Sequence, residues 1–192
     1  MRLNLPTVLT LFRIALLPVM VVVFYLPFRG ANIAASVVFI AAAITDWLDG
    51  WIARRYGLNS AFGAFLDPVA DKRMVAVTLF LLVQDNPTVP MAIISAVIVG
   101  REITISALRE WMALIGERAR VKVAGIGKIK TIMQMVALIV LLYQKDLDGL
   151  RLFHVGEVLL GIAAVLTIWS GLVYARAALP VLRASEGVRH AD

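Results

Sequence analysis

Long apolar runs alternate with short polar breaks along the whole chain, at about 1–26, 31–55, 60–84, 88–116, 128–143 and 155–179. Most of these runs reach or exceed the roughly 20 residues that a helix needs to cross a hydrocarbon core about 30 Å thick. The pattern predicts an all-α integral membrane protein with six transmembrane helices in a single domain, 1–192, ending in a mobile polar tail at 180–192. The first run reads as a span and not as a cleaved leader, because it is long, contains Arg13 and is followed by further spans. Two starts are open for the third run. Asp67 followed by Pro68 suits an N-cap and first helical position, yet the apolar AFGAFL before them suits entry one or two turns earlier. In the second case Pro68 frees the carbonyl of Ala64. The fourth run would be about 43 Å long as a helix, so its last turns, with Arg101, Glu102, Arg109 and Glu110, extend past the hydrocarbon.

Composition agrees with this reading. The 192 residues are 61% hydrophobic and 17% charged, and the mean hydropathy of +0.87 lies outside the range of soluble domains. A net charge of +6 suits contact with anionic head groups and anionic substrates. Nucleic acid is not an expected partner, since the basic residues are scattered among spans. The absence of cysteine excludes disulfides, thiolate-bound zinc and thiol catalysis. Basic residues also orient the chain. Arg54, Arg55, Arg118, Arg120, Lys122, Arg183 and Arg189 fall on one side and only Arg29, Lys145 and Arg151 on the other, which predicts cytoplasmic N and C termini. Arg13 stands well inside the first span, where an ionisable group faces protein or water.

Candidate chemistry is concentrated in 45–72, TDWLDGWIARRYGLNSAFGAFLDPVADK. Asp46 and Asp49 are three apart and Asp67 and Asp71 four apart, so each pair shares a helix face. If the Gly-, Asn- and Ser-containing connection turns the chain back, the two acidic faces meet as an antiparallel pair. Four carboxylates that close must take up protons or hold cations. All-oxygen ligands favour hard divalent ions, Mg²⁺ or Mn²⁺. Gly50 and Ala53 lie on the face of Asp46 and Asp49 and would let a ligand approach the backbone, while Gly63 repeats that arrangement with Asp67 and Asp71. Arg54 and Lys72 add positive charge at the rim.

Written as D-x2-D-G-x2-A-R-x8-G-x3-D-x3-D, these residues fill every position of a pattern that closely resembles the signature of the CDP-alcohol phosphotransferases, membrane enzymes of phospholipid synthesis. The resemblance implies a six-span fold, usually a homodimer, and a site of one or two Mg²⁺ or Mn²⁺ ions held by Asp46, Asp49, Asp67 and Asp71. It implies a CDP-lipid bound along Asp49, Gly50, Ala53, Arg54, Gly63 and Asp67, with Asp71 as the base that removes a proton from the attacking hydroxyl and CMP as leaving group. LPTVLTLFR, REITISALREWMALIG and GIGKIKTIMQMVAL resemble segments of bacterial members that use glycerol 3-phosphate, though many members have Pro-Asn where Pro6 and Thr7 stand here.

The acceptor is read from other residues. Arg109, Lys128 and Lys130 map to the same end of the bundle as the aspartates and supply cations for an anionic acceptor such as glycerol 3-phosphate. CDP-diacylglycerol would be the donor, and the bacterial cytoplasmic (inner) membrane the location, with the site toward the cytoplasm. Serine or phosphatidylglycerol as acceptor is the alternative within the class. A cation or proton transporter is the alternative outside it. The transporter reading is disfavoured because the aspartates lie near one interface and the two halves show no repeat. Exhaustive chelation should abolish CMP release from CDP-diacylglycerol, with Mg²⁺ or Mn²⁺ restoring it and Ca²⁺, which takes a larger shell, restoring it poorly. Full release after chelation would remove the metal reading.

Overall fold

A computed structural model of the chain describes residues 4–57, 61–115, 126–144 and 152–189. The side chains of Asp67, Asp71 and Lys128 lie outside the described residues, as do the basic loop with Arg118, Arg120 and Lys122, Lys145, Arg151, and the side chains from 181 onward. Six helices make up the described chain: α1 (Leu5–Tyr25), α2 (Ala31–Tyr56), α3 (Ala61–Asp85), α4 (Val89–Leu114), α5 (Ile126–Tyr143) and α6 (Leu152–Arg189). Four of them, α1, α2, α4 and α6 as far as Pro180, are long and apolar enough to cross a membrane, and α5 contributes a shorter apolar stretch, Ile129–Tyr143. The chain is a multi-pass membrane protein. The fully apolar part of α3 is short because its first half carries Asp67, Asp71, Lys72 and Arg73.

Local chemistry sets most of the boundaries. Gly30 turns α1 into α2 with φ of 104°, and Gly57 ends α2 with φ of 64°; both are left-handed positions where a side chain is disfavoured. Thr88 caps α4 by accepting the Met91 amide at 3.3 Å, with a proline in the first turn whose missing N–H costs nothing there. The third helix starts at Ala61, so Asp67 and Pro68 fall inside it and not at its cap. Entry is upstream, and in these first turns Gly63 is buried and Leu66 partly so. The helix continues past Pro180 as far as Arg189, well beyond the expected end near 179. Proline removes one ladder bond without breaking this helix.

One end of the bundle is tied together by side chains. Asn32 at the start of α2 donates to Gln144 Oε1 at the end of α5 at 2.8 Å, Gln144 donates in turn to Asp85 at the end of α3, and Tyr25 at the end of α1 bonds Gln84. Gln144 adopts φ of 54° to do this, the left-handed position beyond the last turn of α5. The ends of α1, α3 and α5 and the start of α2 therefore share one face of the protein. It follows that the end of α2 and the starts of α1, α3 and α5 share the other.

Between these ends, Phe39, Leu79, Leu82, Met91, Ile98, Leu138, Leu141, Leu142 and Leu160 form a fully buried core drawn from five helices. Many large apolar residues on the remaining faces are exposed, as a lipid-facing surface requires, and Trp47, Trp51 and Trp169 are among them. At Gly156 the backbones of α5 and α6 come so close that an added Cβ would stand 2.7 Å from Leu141 Cγ, whereas at Gly100 it would meet open space. Thermal unfolding in detergent should therefore show Gly156→Ala less stable by about 1–3 kcal/mol, and Gly100→Ala more stable by up to about 1 kcal/mol through helix propensity. Equal effects at the two positions would contradict the packing at the α5–α6 crossing.

Candidate active site

The helix spacing that joins Asp46 to Asp49 has a counterpart on α1. Pro6, Thr7, Thr10 and Arg13 repeat at steps that keep them on one face, and all four are buried against the bundle. Arg13, 2% exposed, donates from Nη1 to Asp46 Oδ1 and from Nη2 to Asp49 Oδ2. Thr10 Oγ1 donates to the Pro6 carbonyl at 3.0 Å and stands 3.5 Å from Asp49 Oδ2. The two carboxylates differ in access: the Asp49 side chain is 7% exposed and that of Asp46 is 44% exposed. The pair is accessible from the Asp46 side.

Gly50 follows directly, and Arg54 folds back over it, with its guanidinium 3.4 Å from where a Cβ would be. Ala53 is half-buried beside it and Arg54 is exposed. On α3, Gly63, the backbone positions of Asp67 and Asp71, and Met74 fall on one helix face by register, and both Gly63 and Met74 are buried. Met74, Asp46, Arg13 and Met135 of α5 line one small cavity. The acidic face of α2 and that face of α3 are thus brought to the same place in the bundle.

The donor set can be tested against a divalent ion. Carboxylate oxygens are the hard ligands that Mg²⁺ and Mn²⁺ prefer. Asp46 and Asp49 already converge on one positive charge, the Arg13 guanidinium. Among the described residues no three potential ligands gather, and the side chains of the other two expected ligands, Asp67 and Asp71, lie outside the described residues. The oxygen chemistry of Asp46 and Asp49 fits the ion.

A second charged centre lies at the same end, and it is basic. Lys130 is 4% exposed on α5, about 7.5 Å along the helix from Met135, and it pairs with Glu102 of α4. Arg101 Nη1 reaches the same Glu102 Oε1 at 3.3 Å and its Nη2 donates to Ser170 Oγ of α6 at 2.8 Å, while Arg101 Nε has no partner among the described residues. Lys72, one residue after Asp71, donates to Ser106 Oγ, which donates to the Glu102 carbonyl at 2.6 Å. Arg109 lies one to two turns farther along α4, donating to Tyr174 Oη at 2.9 Å with its guanidinium 4.9 Å from the ring centre. Lys72 is within electrostatic reach of Glu102, and Arg109 of Lys130. Three cations, Lys130, Arg101 and Lys72, therefore act on the Glu102 carboxylate and Arg109 acts on Lys130, an excess of positive charge among these described residues that favours an anion.

Of the residues singled out from sequence for an acceptor, Arg109 and Lys130 belong to this centre, and Lys128 contributes its backbone to the first turn of α5. Sequence reasoning did not find Arg101 or Lys72 as members, nor Glu102 as the partner of Lys130. The available signal was the Arg-Glu pair at 101–102, a costly placement inside an apolar helix unless both charges are partnered.

The sequence model for the CDP-alcohol phosphatidyltransferase family matches residues 3–169. The chain is 49% identical over 178 residues to the CDP-diacylglycerol–glycerol-3-phosphate 3-phosphatidyltransferase of Salmonella choleraesuis, covering 93% of this chain and 96% of that relative. It is 50% identical over 180 residues to the protein of the same name from Pectobacterium atrosepticum, and 49% identical over 178 residues to that from Shigella flexneri, with the same coverage.

Removing one member of the buried pair should be far worse than removing both. Glu102→Leu leaves Lys130 buried without its counter-charge and should cost about 3 kcal/mol, whereas Glu102→Leu with Lys130→Met should be near neutral. Unfolding midpoints of the two single variants and the double variant in micelles measure this, and strict additivity would contradict a direct pair.

Proposed function

Because this chain belongs to the CDP-alcohol phosphatidyltransferase family, we propose that it transfers a phosphatidyl group from CDP-diacylglycerol to glycerol 3-phosphate, giving phosphatidylglycerophosphate and CMP. The observation that carries the acceptor is the basic centre: Lys72, Arg101 and Lys130 around the Glu102 carboxylate, with Arg109 within reach of Lys130. A neutral alcohol has no use for that excess of positive charge. A phosphate does, and each charge-assisted bond to it contributes roughly 1.5–3 kcal/mol.

The donor keeps its acyl chains in the bilayer and its diphosphate at the aspartate end. Asp46, Asp49, Asp67 and Asp71 would hold one or two Mg²⁺ or Mn²⁺ ions, which when bound neutralise the diphosphate and the charge that builds on the attacking and departing oxygens. Gly50 and Ala53 leave space on the acidic face of α2 for the cytidine to approach the backbone, and Arg54 covers that face as a rim cation. Arg109, Lys128 and Lys130 orient the acceptor phosphate so that its free hydroxyl faces the phosphatidyl phosphorus. Asp71 takes the hydroxyl proton as the new P–O bond forms and the bond to the CMP oxygen breaks. The proposal places this face toward the cytoplasm of a bacterial inner membrane, in a homodimer, consistent with the basic residues at this end and with the bacterial relatives.

Purified protein given CDP-diacylglycerol and a panel of acceptors should release CMP with glycerol 3-phosphate, and release only with serine or phosphatidylglycerol would overturn the acceptor. Asp71→Asn should bind lipid normally while turnover falls by about 10²- to 10⁴-fold. Arg109→Gln and Lys128→Gln should each raise the KM for glycerol 3-phosphate by about ten- to a hundredfold with the KM for CDP-diacylglycerol unchanged. Wild-type acceptor KM in both variants would move the pocket elsewhere.

A further inference from the structure

Arg13 is the most deeply buried cation of the described chain, and its two terminal nitrogens occupy one oxygen from each α2 aspartate. A cation serving only to anchor α1 to α2 would use all its donors, since a buried unpaired N–H costs free energy. Here Nε has no partner among the described residues, and the acidic pair is accessible through Asp46, whose side chain is 44% exposed. The guanidinium therefore holds one oxygen of each of the two carboxylates that a divalent ion would use. Two cations on one pair of carboxylates repel each other strongly.

We propose that Arg13 is the resident counter-cation of Asp46 and Asp49: it neutralises the pair in the ligand-free protein and gives way when a divalent cation binds. Arg13 is then a positioning residue that tunes metal affinity downward and keeps the empty site compatible with a bilayer, where two uncompensated carboxylates would be costly. This rests on the reading of the aspartates as metal ligands.

The test compares wild type, Arg13→Gln, Arg13→Lys and Asp46→Asn in micelles. Mn²⁺ affinity is measured from the free-ion resonance signal, and unfolding midpoints are measured in chelator and in saturating Mn²⁺. Arg13→Gln should bind Mn²⁺ at least about tenfold more tightly, equivalent to about 1.4 kcal/mol, and lose midpoint in chelator but little in Mn²⁺. Arg13→Lys, whose compact ammonium cannot span both carboxylates as the planar fork does, should widen the gap between the two midpoints in the same sense. Folding of Arg13→Gln only in the presence of Mn²⁺ would also support the proposal. An unchanged or weaker Mn²⁺ affinity, or equal midpoint losses in chelator and in Mn²⁺, overturns it while leaving the metal site intact. Absence of saturable Mn²⁺ binding in wild type, with no change in Asp46→Asn, overturns the metal reading and this inference together.

Discussion

An ion inside a bilayer is stable only if the protein supplies its counter-charge, because hydrocarbon cannot solvate it. That constraint organises this bundle. Arg13 of α1 is matched by Asp46 and Asp49 of α2, and Lys130 of α5 by Glu102 of α4, with Arg101 carrying the second connection on to α6. Each pairing joins different helices, so the charges that would otherwise keep the helices apart instead fix their register at one end. The opposite end is held by side-chain hydrogen bonds among Tyr25, Asn32, Gln84, Asp85 and Gln144, with no ion pair between them.

The two charged centres differ in sign, and the difference has a chemical use. A diphosphate cannot approach bare carboxylates, so the acidic centre suits a phosphate only through an intervening cation. The basic centre has the sign to take a phosphate without such a cation. Lys72 follows Asp71 in sequence and reaches Ser106 beside Glu102, which places the boundary between the two centres on a single turn of α3. A transferase that joins two phosphate-bearing partners requires such an arrangement, with donor and acceptor charges handled by separate groups a short distance apart.

Between the two ends, the core of Phe39, Leu79, Leu82, Leu138 and Leu141 keeps the helices in a rigid relation. Close approach at Gly156 brings α5 against α6, and the Arg101–Ser170 bond brings α4 against α6. Rigid elements carrying the site residues hold geometry better than loops do, and every described member of both centres is on a helix.

The sequence by itself determined the elements and the placing of Asp46 and Asp49 on one face of α2, because both are local. Hydropathy over 20-residue windows predicts the six helices, and spacings of three and four place Asp46 with Asp49 and Asp67 with Asp71. The family signature is legible for the same reason. Helix ends were less so: Asp67-Pro68 reads as a cap, but α3 begins at Ala61, and α6 runs on through Pro180. What only the tertiary structure decided is which charges meet. Arg13 is 33 residues from Asp46, and Lys130 is 28 from Glu102. Their pairing follows from helix packing and rotation about each axis, which no local pattern encodes. From sequence alone, Arg101 and Glu102 read equally well as charges at an interfacial helix end. Only the proximity of α3, α5 and α6 turns them into part of one charged cluster with Lys72, Lys130 and Ser170.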